Sequence, residues 1–180
     1  MSISENSFFT DVQTLRARAR EHMHKGAMTG TYEADRNTVI NILNAALATE
    51  LVCVLRYKRH YYMASGIDAE TVAAEFLAHA NEELQHADMI AGRITQLGGK
   101  PDFAPDRLLT KSHSEYVEGN SLKEMIEENL VAERIAIDSY REIVNYLGVN
   151  NDSTTRRLME EILATEEEHA DDMTKLLDSF

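Results

Sequence analysis

Residues 83–88 read Glu83-Leu84-Gln85-His86-Ala87-Asp88, and residues 166–171 read Glu166-Glu167-Glu168-His169-Ala170-Asp171. In each stretch a glutamate and a histidine stand three positions apart. On an α-helix that spacing stacks the two side chains on one face, so a carboxylate and an imidazole can reach the same point. A third pair of this kind, Glu21 and His24, lies near the N-terminus. In a chain with 31 acidic residues and seven histidines the motif alone decides little. Its placement decides more. Glu50 precedes Glu83 by 33 residues, and Glu133 precedes Glu166 by the same 33. A shift of 83 positions lays Glu50 on Glu133, Tyr57 on Tyr140, and Glu83 with His86 on Glu166 with His169.

Outward from these motifs the chain reads as all-α. Helical periodicity marks four long segments, at residues 35–64, 68–97, 121–148 and from about 152 almost to 180, separated by glycine-rich or polar punctuation. Gly98-Gly99 closes the second segment as a helix C-terminal signal, and Ser121-Leu122-Lys123-Glu124 opens the third with the form of a capping box. Residues 7–25 are expected to form a shorter helix ahead of the bundle. The expected division is therefore an N-terminal extension at 1–34 and a four-helix bundle at 35–180. Short connections within each pair of long helices predict two antiparallel hairpins. Residues 98–120 join the hairpins and contain both prolines. Extended, they span about 75 Å, whereas a helix of about 28 residues is roughly 42 Å long. The linker can thus cross the whole bundle or fold compactly, and one long crossover between the second and third long helices is the expected architecture.

The repeated polar positions lie in apolar surroundings. Glu50 sits within Ala45-Ala46-Leu47-Ala48-Thr49-Glu50-Leu51-Val52-Cys53-Val54-Leu55, and Glu133 within Asn129-Leu130-Val131-Ala132-Glu133-Arg134-Ile135-Ala136-Ile137. A lone buried carboxylate is costly unless it is paired or protonated. Two divalent ions would balance the four carboxylates Glu50, Glu83, Glu133 and Glu166. Oxygen and imidazole donors suit iron or manganese. Single glutamates on two helices with Glu-x-x-His on two others is the di-iron carboxylate pattern of helical bundles.

At this point the chain resembles a known family. Glu50-Leu51-Val52-Cys53-Val54-Leu55-Arg56-Tyr57, Glu83-Leu84-Gln85-His86, Leu130-Val131-Ala132-Glu133 and Glu166-Glu167-Glu168-His169 look like the ferroxidase motifs of bacterioferritin. Gly98-Gly99-Lys100-Pro101 resembles the loop after that family's second helix, and the likeness covers about residues 35–178. It implies a ferritin-like bundle and a ferroxidase that oxidises Fe2+ with O2 or H2O2. Carried over by position, Glu50 and His86 hold one iron, Glu133 and His169 the other, and Glu83 and Glu166 bridge them. Tyr57 and Tyr140 match tyrosines that support the ligands. Bacterioferritins ligate haem through a methionine directly after the first bridging glutamate, and Leu84 stands there, so no haem is expected. The chain ends 11 residues after His169, which leaves no room for the short fifth helix of 24-subunit cages. A homo-oligomeric shell of 12, as in Dps-like proteins, is the expectation, although the cysteine pair of some members is absent. Rivals on the same bundle are a non-storage di-metal peroxidase, catalase or oxidase, and a DNA-protecting Dps-type shell.

The remaining composition narrows the setting. Residues 1–40 are charge-balanced, so residues 41–180 carry the whole formal charge of −13. Such a body repels nucleic acid and gathers cations. Arg16, Arg18 and Arg20 spread around a helix beside Glu21, so DNA is not an expected partner. One cysteine, Cys53, excludes an intramolecular disulfide framework. No apolar run is expected to reach membrane-spanning length. The polar start of the chain does not read as a signal peptide, which leaves a cytoplasmic location as the expectation. Glu82, Glu167 and Glu168 are expected to be solvated or to face a shell interior, His79, one turn before Glu83, to lie in the core or at the surface rather than approach the site, and Met89, Met125, Met159 and Met173 to fill the core.

Overall fold

The computed structural model describes residues 10–67 and 69–180. The described residues form six α-helices: α1 Val12–Arg18, α2 Arg36–Met63, α3 Ala69–Gln96, α4 Pro105–Lys111, α5 Leu122–Val149 and α6 Ser153–Leu177. No strand occurs among the described residues. Residues 10–32 and residues 33–180 form separate compact units.

In the first unit the expected helix over residues 7–25 is realised only as α1, followed by a 3-10 turn, Met23–Lys25. Residues 7–9 lie outside the described residues, as does the expected start of the second long helix at residue 68. Asp11 caps α1 by accepting from the Gln13 and Thr14 backbone N–H groups. His22 adopts a left-handed backbone, φ 51°, which no continuous helix accommodates. Neither α1 nor the turn buries a residue, so packing does not extend the helix. Glu21 and His24 consequently share no helical face and are both exposed.

In the second unit the long helices begin where their caps dictate. Asp35 accepts from Thr38 N–H at the start of α2, Ser121 from Glu124 N–H at α5, and Asp152 from Thr155 N–H at α6. Glu124 also reaches back to Asn120 N–H at 2.7 Å, completing a shifted capping box. At the end of α3, Gly98 takes φ 76°. A Cβ on Gly99 would approach Ile40 to 2.9 Å, so glycine lets the turn close onto α2.

Helix α2 packs against α3 and α5, and α6 packs against α5 and α3, which closes a four-helix bundle. Residues 97–121 run along α2 from one end to the other. Asn44 holds Lys100 C=O and Asp102 N–H, Thr49 accepts from His113 N–H, Arg56 donates to Glu115 C=O, and His60 meets Val117 C=O. This is the long crossover, and it makes α5 antiparallel to α2. Helix α4, which the sequence reading missed, interrupts it with Pro105 in its first turn and seats Leu108 on Ala48 and Val52.

Helix α2 corrects one expectation. By length and composition it could span a bilayer, with a mean hydropathy of 1.8 over its most apolar stretch. That stretch is 61% buried inside the protein, because α2 touches α3, α4 and α5. Burial of Leu43, Leu47, Phe76, Ile90, Ile126 and Met159 contributes about 1.5–3 kcal/mol each. Met125 and Met173 are also buried and Met89 half-buried.

Far from the glutamates, Arg93 of α3 donates to Thr155 at 2.7 Å and to Asp152 at 3.0 Å, both at the start of α6. All three are buried. Arg93→Leu removes the guanidinium from the buried Asp152 carboxylate and Thr155 hydroxyl and is expected to cost about 3 kcal/mol. Denaturant unfolding checks this, and a loss below about 0.5 kcal/mol, the range of an exposed pair, would refute it.

Candidate metal centre

The apolar stripes of four helices converge at mid-bundle and bring six polar side chains together. Glu50 comes from α2, Glu83 and His86 from α3, Glu133 from α5, and Glu166 and His169 from α6. Each is buried, none more than 6% exposed. His86 Nδ1 lies 2.9 Å from Glu166, 3.3 Å from Glu50 and 3.7 Å from Glu83. His169 Nδ1 lies 3.3 Å from Glu166, 3.6 Å from Glu83 and 4.0 Å from Glu133. The donors thus form two sets, Glu50, Glu83, His86, Glu166 and Glu83, Glu133, Glu166, His169, each within 4.8 Å. Glu83 and Glu166 belong to both.

These contacts are close without being aligned hydrogen bonds. Among the described residues nine buried side-chain nitrogen or oxygen atoms lack a hydrogen-bond partner, and seven belong to these six residues. Native proteins leave few such atoms. Lone pairs from oxygen and imidazole that face one another across a few ångströms are the donor set of a pair of hard or borderline divalent cations. The six groups therefore fit two such ions, each held by one terminal glutamate, one histidine and two shared carboxylates.

Hydrogen bonds behind the six groups fix their orientation. Tyr57 of α2 donates to Glu133 of α5, and Tyr140 of α5 donates to Glu50 of α2. The tyrosines thus cross between helices, each holding the glutamate opposite. Burial, and next the adjacent Glu133 or Glu50, pushes both phenols well above their ordinary range, so they remain donors. The structure also adds two residues. Glu82, expected to be solvated, meets His169 Nε2 at 2.7 Å. That contact turns Nδ1 into the centre, as a carboxylate behind a metal-binding histidine does. His79 is buried, stacks on His169 with ring centroids 3.9 Å apart, and meets the Tyr57 hydroxyl at 3.2 Å. Burial, reinforced by His169, pulls His79 down to about 4. Its place one turn before Glu83 was a sequence signal for this position, whereas Glu82 acts across to another helix and left none. Asp88, Asp171, Glu167 and Glu168 are exposed.

With only the protein's own charges present, the six groups share protons. Burial, then repulsion from Glu83 and Glu166, raises Glu50 and Glu133 well above the carboxylate range. Burial also opposes ionisation of Glu83, but contacts with Glu50, His169 and His86 outweigh it and hold Glu83 low. Burial would lower the two histidines, yet Glu166, Glu50 and Glu83 raise His86 strongly. Glu166 and Glu83 likewise push His169 up to about 12.

A four-helix bundle with a paired carboxylate–imidazole centre defines a class of cation-handling helical proteins. The ferritin-like domain pattern matches residues 40–180, and the chain belongs to the ferritin-like family. A bacterioferritin of Desulfovibrio desulfuricans is 30% identical over 142 residues, 79% of this chain and 75% of that one. A bacterioferritin of Brucella melitensis is 34% identical over 146 residues, covering 78% and 83%. Among solved structures, the dodecameric thioferritin of Bacteroides fragilis, a bacterioferritin-related protein, superposes with TM-score 0.78 at 33% identity, over 82% of this chain and 88% of its own. The Desulfovibrio desulfuricans bacterioferritin, solved with its diiron site, gives 0.72 at 27% identity over 83% of each chain.

Ligation requires Glu50 and Glu133 ionised and His86 and His169 neutral. Cation binding therefore displaces protons and strengthens as pH rises, because fewer protons compete. Adding Zn2+ to weakly buffered protein at neutral pH is expected to release about two protons per cation. Saturable binding at constant pH would show that these groups do not hold the protons.

Proposed function

We propose that this chain is a ferroxidase and iron-storage protein that assembles into a homo-oligomeric shell of 12 subunits. The observation that carries the proposal is the convergence of seven unsatisfied buried atoms from Glu50, Glu83, His86, Glu133, Glu166 and His169. Two ferrous ions bind there as substrate. Glu50 and His86 hold one, Glu133 and His169 the other, and Glu83 and Glu166 lie between them. Dioxygen or hydrogen peroxide takes two electrons, one from each iron, and the ferric product passes to the shell interior. Pairing the irons matters because a two-electron transfer avoids the radical that single-electron reduction of the oxidant would release.

The protein's own groups position and neutralise. Tyr57 and Tyr140 hold Glu133 and Glu50 through phenols that stay protonated. Glu82 holds His169 in the rotamer that faces the centre. The four carboxylates offset the charge of two divalent ions in a site from which water is largely excluded. A shell of 12 is supported by the likeness to the dodecameric thioferritin. Leu84 in the position after Glu83 supports a chain without haem, and the charge of −13 argues against DNA as partner. A cytoplasmic location belongs to the same proposal, in keeping with a lone, buried, unpaired Cys53.

Aerobic ferrous loading followed by size-exclusion chromatography, with iron and protein detected together, tests this. Iron far above two per chain is expected to co-elute with a large oligomer that has no haem Soret band. Glu133→Ala is expected to oxidise iron at least about tenfold more slowly. Iron held at two per chain on a small species would instead favour a non-storage di-metal oxidase or peroxidase.

A further inference from the structure

The polar interior does not end at the six groups. His79 is 2% exposed, and its two ring nitrogens face different surroundings. On one side the Tyr57 hydroxyl gives its proton to Glu133, so its oxygen accepts from His79 Nδ1 at 3.2 Å. This hydrogen bond sets the ring and turns Nε2 away from the centre. On that other side Nε2 lies 3.4 Å from Glu75 Oε1 and 3.9 Å from Asp172 Oδ2, and forms no hydrogen bond with either. The buried His79 ring therefore aims Nε2 at two carboxylate oxygens without an aligned hydrogen bond to either. Lys175 occupies the other oxygen of Asp172, at 2.7 Å, and leaves Oδ2 facing His79.

The helices explain why these three meet. Glu75 stands one turn before His79 on α3, and Asp172 lies three residues after His169 on α6. The three donor atoms fall within 4.8 Å of one another. One cation with ligand distances of about 2.1 Å fills that span. The clamp on His79 has the form of the one on His169. In each, one ring nitrogen is held by an oxygen behind it and the other faces carboxylates. Exposure grades inward: Glu75 and Asp172 side chains are 38% and 36% exposed, and His79 only 3%. His79, Glu82 and His169 bring a further donor set within the same span, so no apolar gap separates this cluster from the paired centre.

We propose that Glu75, His79 and Asp172 form a third divalent-cation site, outside the paired centre, at which a cation is held before it passes to the half of the centre formed by Glu133 and His169. The staging role rests on the ferroxidase proposal; the binding site itself does not.

Two measurements on the full, assembled protein test it. Zn2+ is soaked into crystals and located by anomalous scattering, and Co2+ is titrated calorimetrically. Three ions per chain are expected, one of them between His79 Nε2 and Asp172. The double variant Glu75→Gln, Asp172→Asn is expected to lose that ion and keep the other two, whereas Glu133→Ala keeps it. Two ions in the paired positions with nothing beside His79 would overturn this site and leave the paired centre intact. An ion beside His79 with the paired positions empty would support the site and refute the ferroxidase proposal. For the staging role, the double variant is expected to show an initial rate of ferrous oxidation about tenfold lower at low iron. An unchanged rate would overturn staging.

Discussion

Four carboxylates held face to face inside a helical bundle repel one another and lose hydration at the same time. Each effect alone amounts to several kcal/mol, and the arrangement survives only when positive charge stands among them. Here the positive charge comes from protons or from cations, and the same donor atoms serve both. Burial and repulsion make Glu50 and Glu133 retain protons, and neighbouring carboxylates hold protons on His86 and His169, when the protein supplies all the charge. Those protons occupy the lone pairs that bound cations would need. The rest of the bundle can be understood as the apparatus that holds six such groups in register.

Register comes from helix length and from the crossover. Two hairpins of nearly equal length could pack in several relative directions. The segment that runs along α2, pinned at Asn44, Thr49, Arg56 and His60, delivers the chain to the opposite end before α5 starts. Helix α5 then descends antiparallel to α2, and Glu133 arrives level with Glu50. The same direction explains the crossed tyrosines. Tyr57 and Tyr140 stand two turns beyond the glutamates of their own helices, and in an antiparallel pair each meets the other helix's glutamate. A hydrogen-bonded exchange of this kind ties α2 to α5 at the level where the repulsion is greatest.

The centre is not uniformly sealed. His169 is braced by Glu82, whose side chain is 47% exposed, and stacked on His79. The half built on Glu133 and His169 thus connects through polar groups to the outside of α3 and α6. This asymmetry arises although the two hairpins repeat the same ligands. The repeat governs the inward faces, where both hairpins meet the same charge problem. It does not extend to Glu82, whose counterpart at the same step, Thr165, hydrogen-bonds its own helix at Glu161.

Much of this was legible in the residues. Helical periodicity, the glycine pair at 98–99 and the cap at Ser121 located the starts of four long helices to within one residue, because caps and glycines act through local backbone geometry. The repeat of Glu50, Glu83 and His86 at Glu133, Glu166 and His169 selected the six groups, since a carboxylate set in an apolar helical stripe must find partners inside. Three features were decided only in three dimensions. The N-terminal helix is short because nothing buries it, which residue periodicity cannot show. Helix α2 reads by composition like a membrane span, and only the neighbours on its flanks make it a core helix. The roles of Glu82 and His79 depend on which side chain of α6 faces them. That contact is between residues about ninety positions apart, set by helix packing rather than by any local pattern.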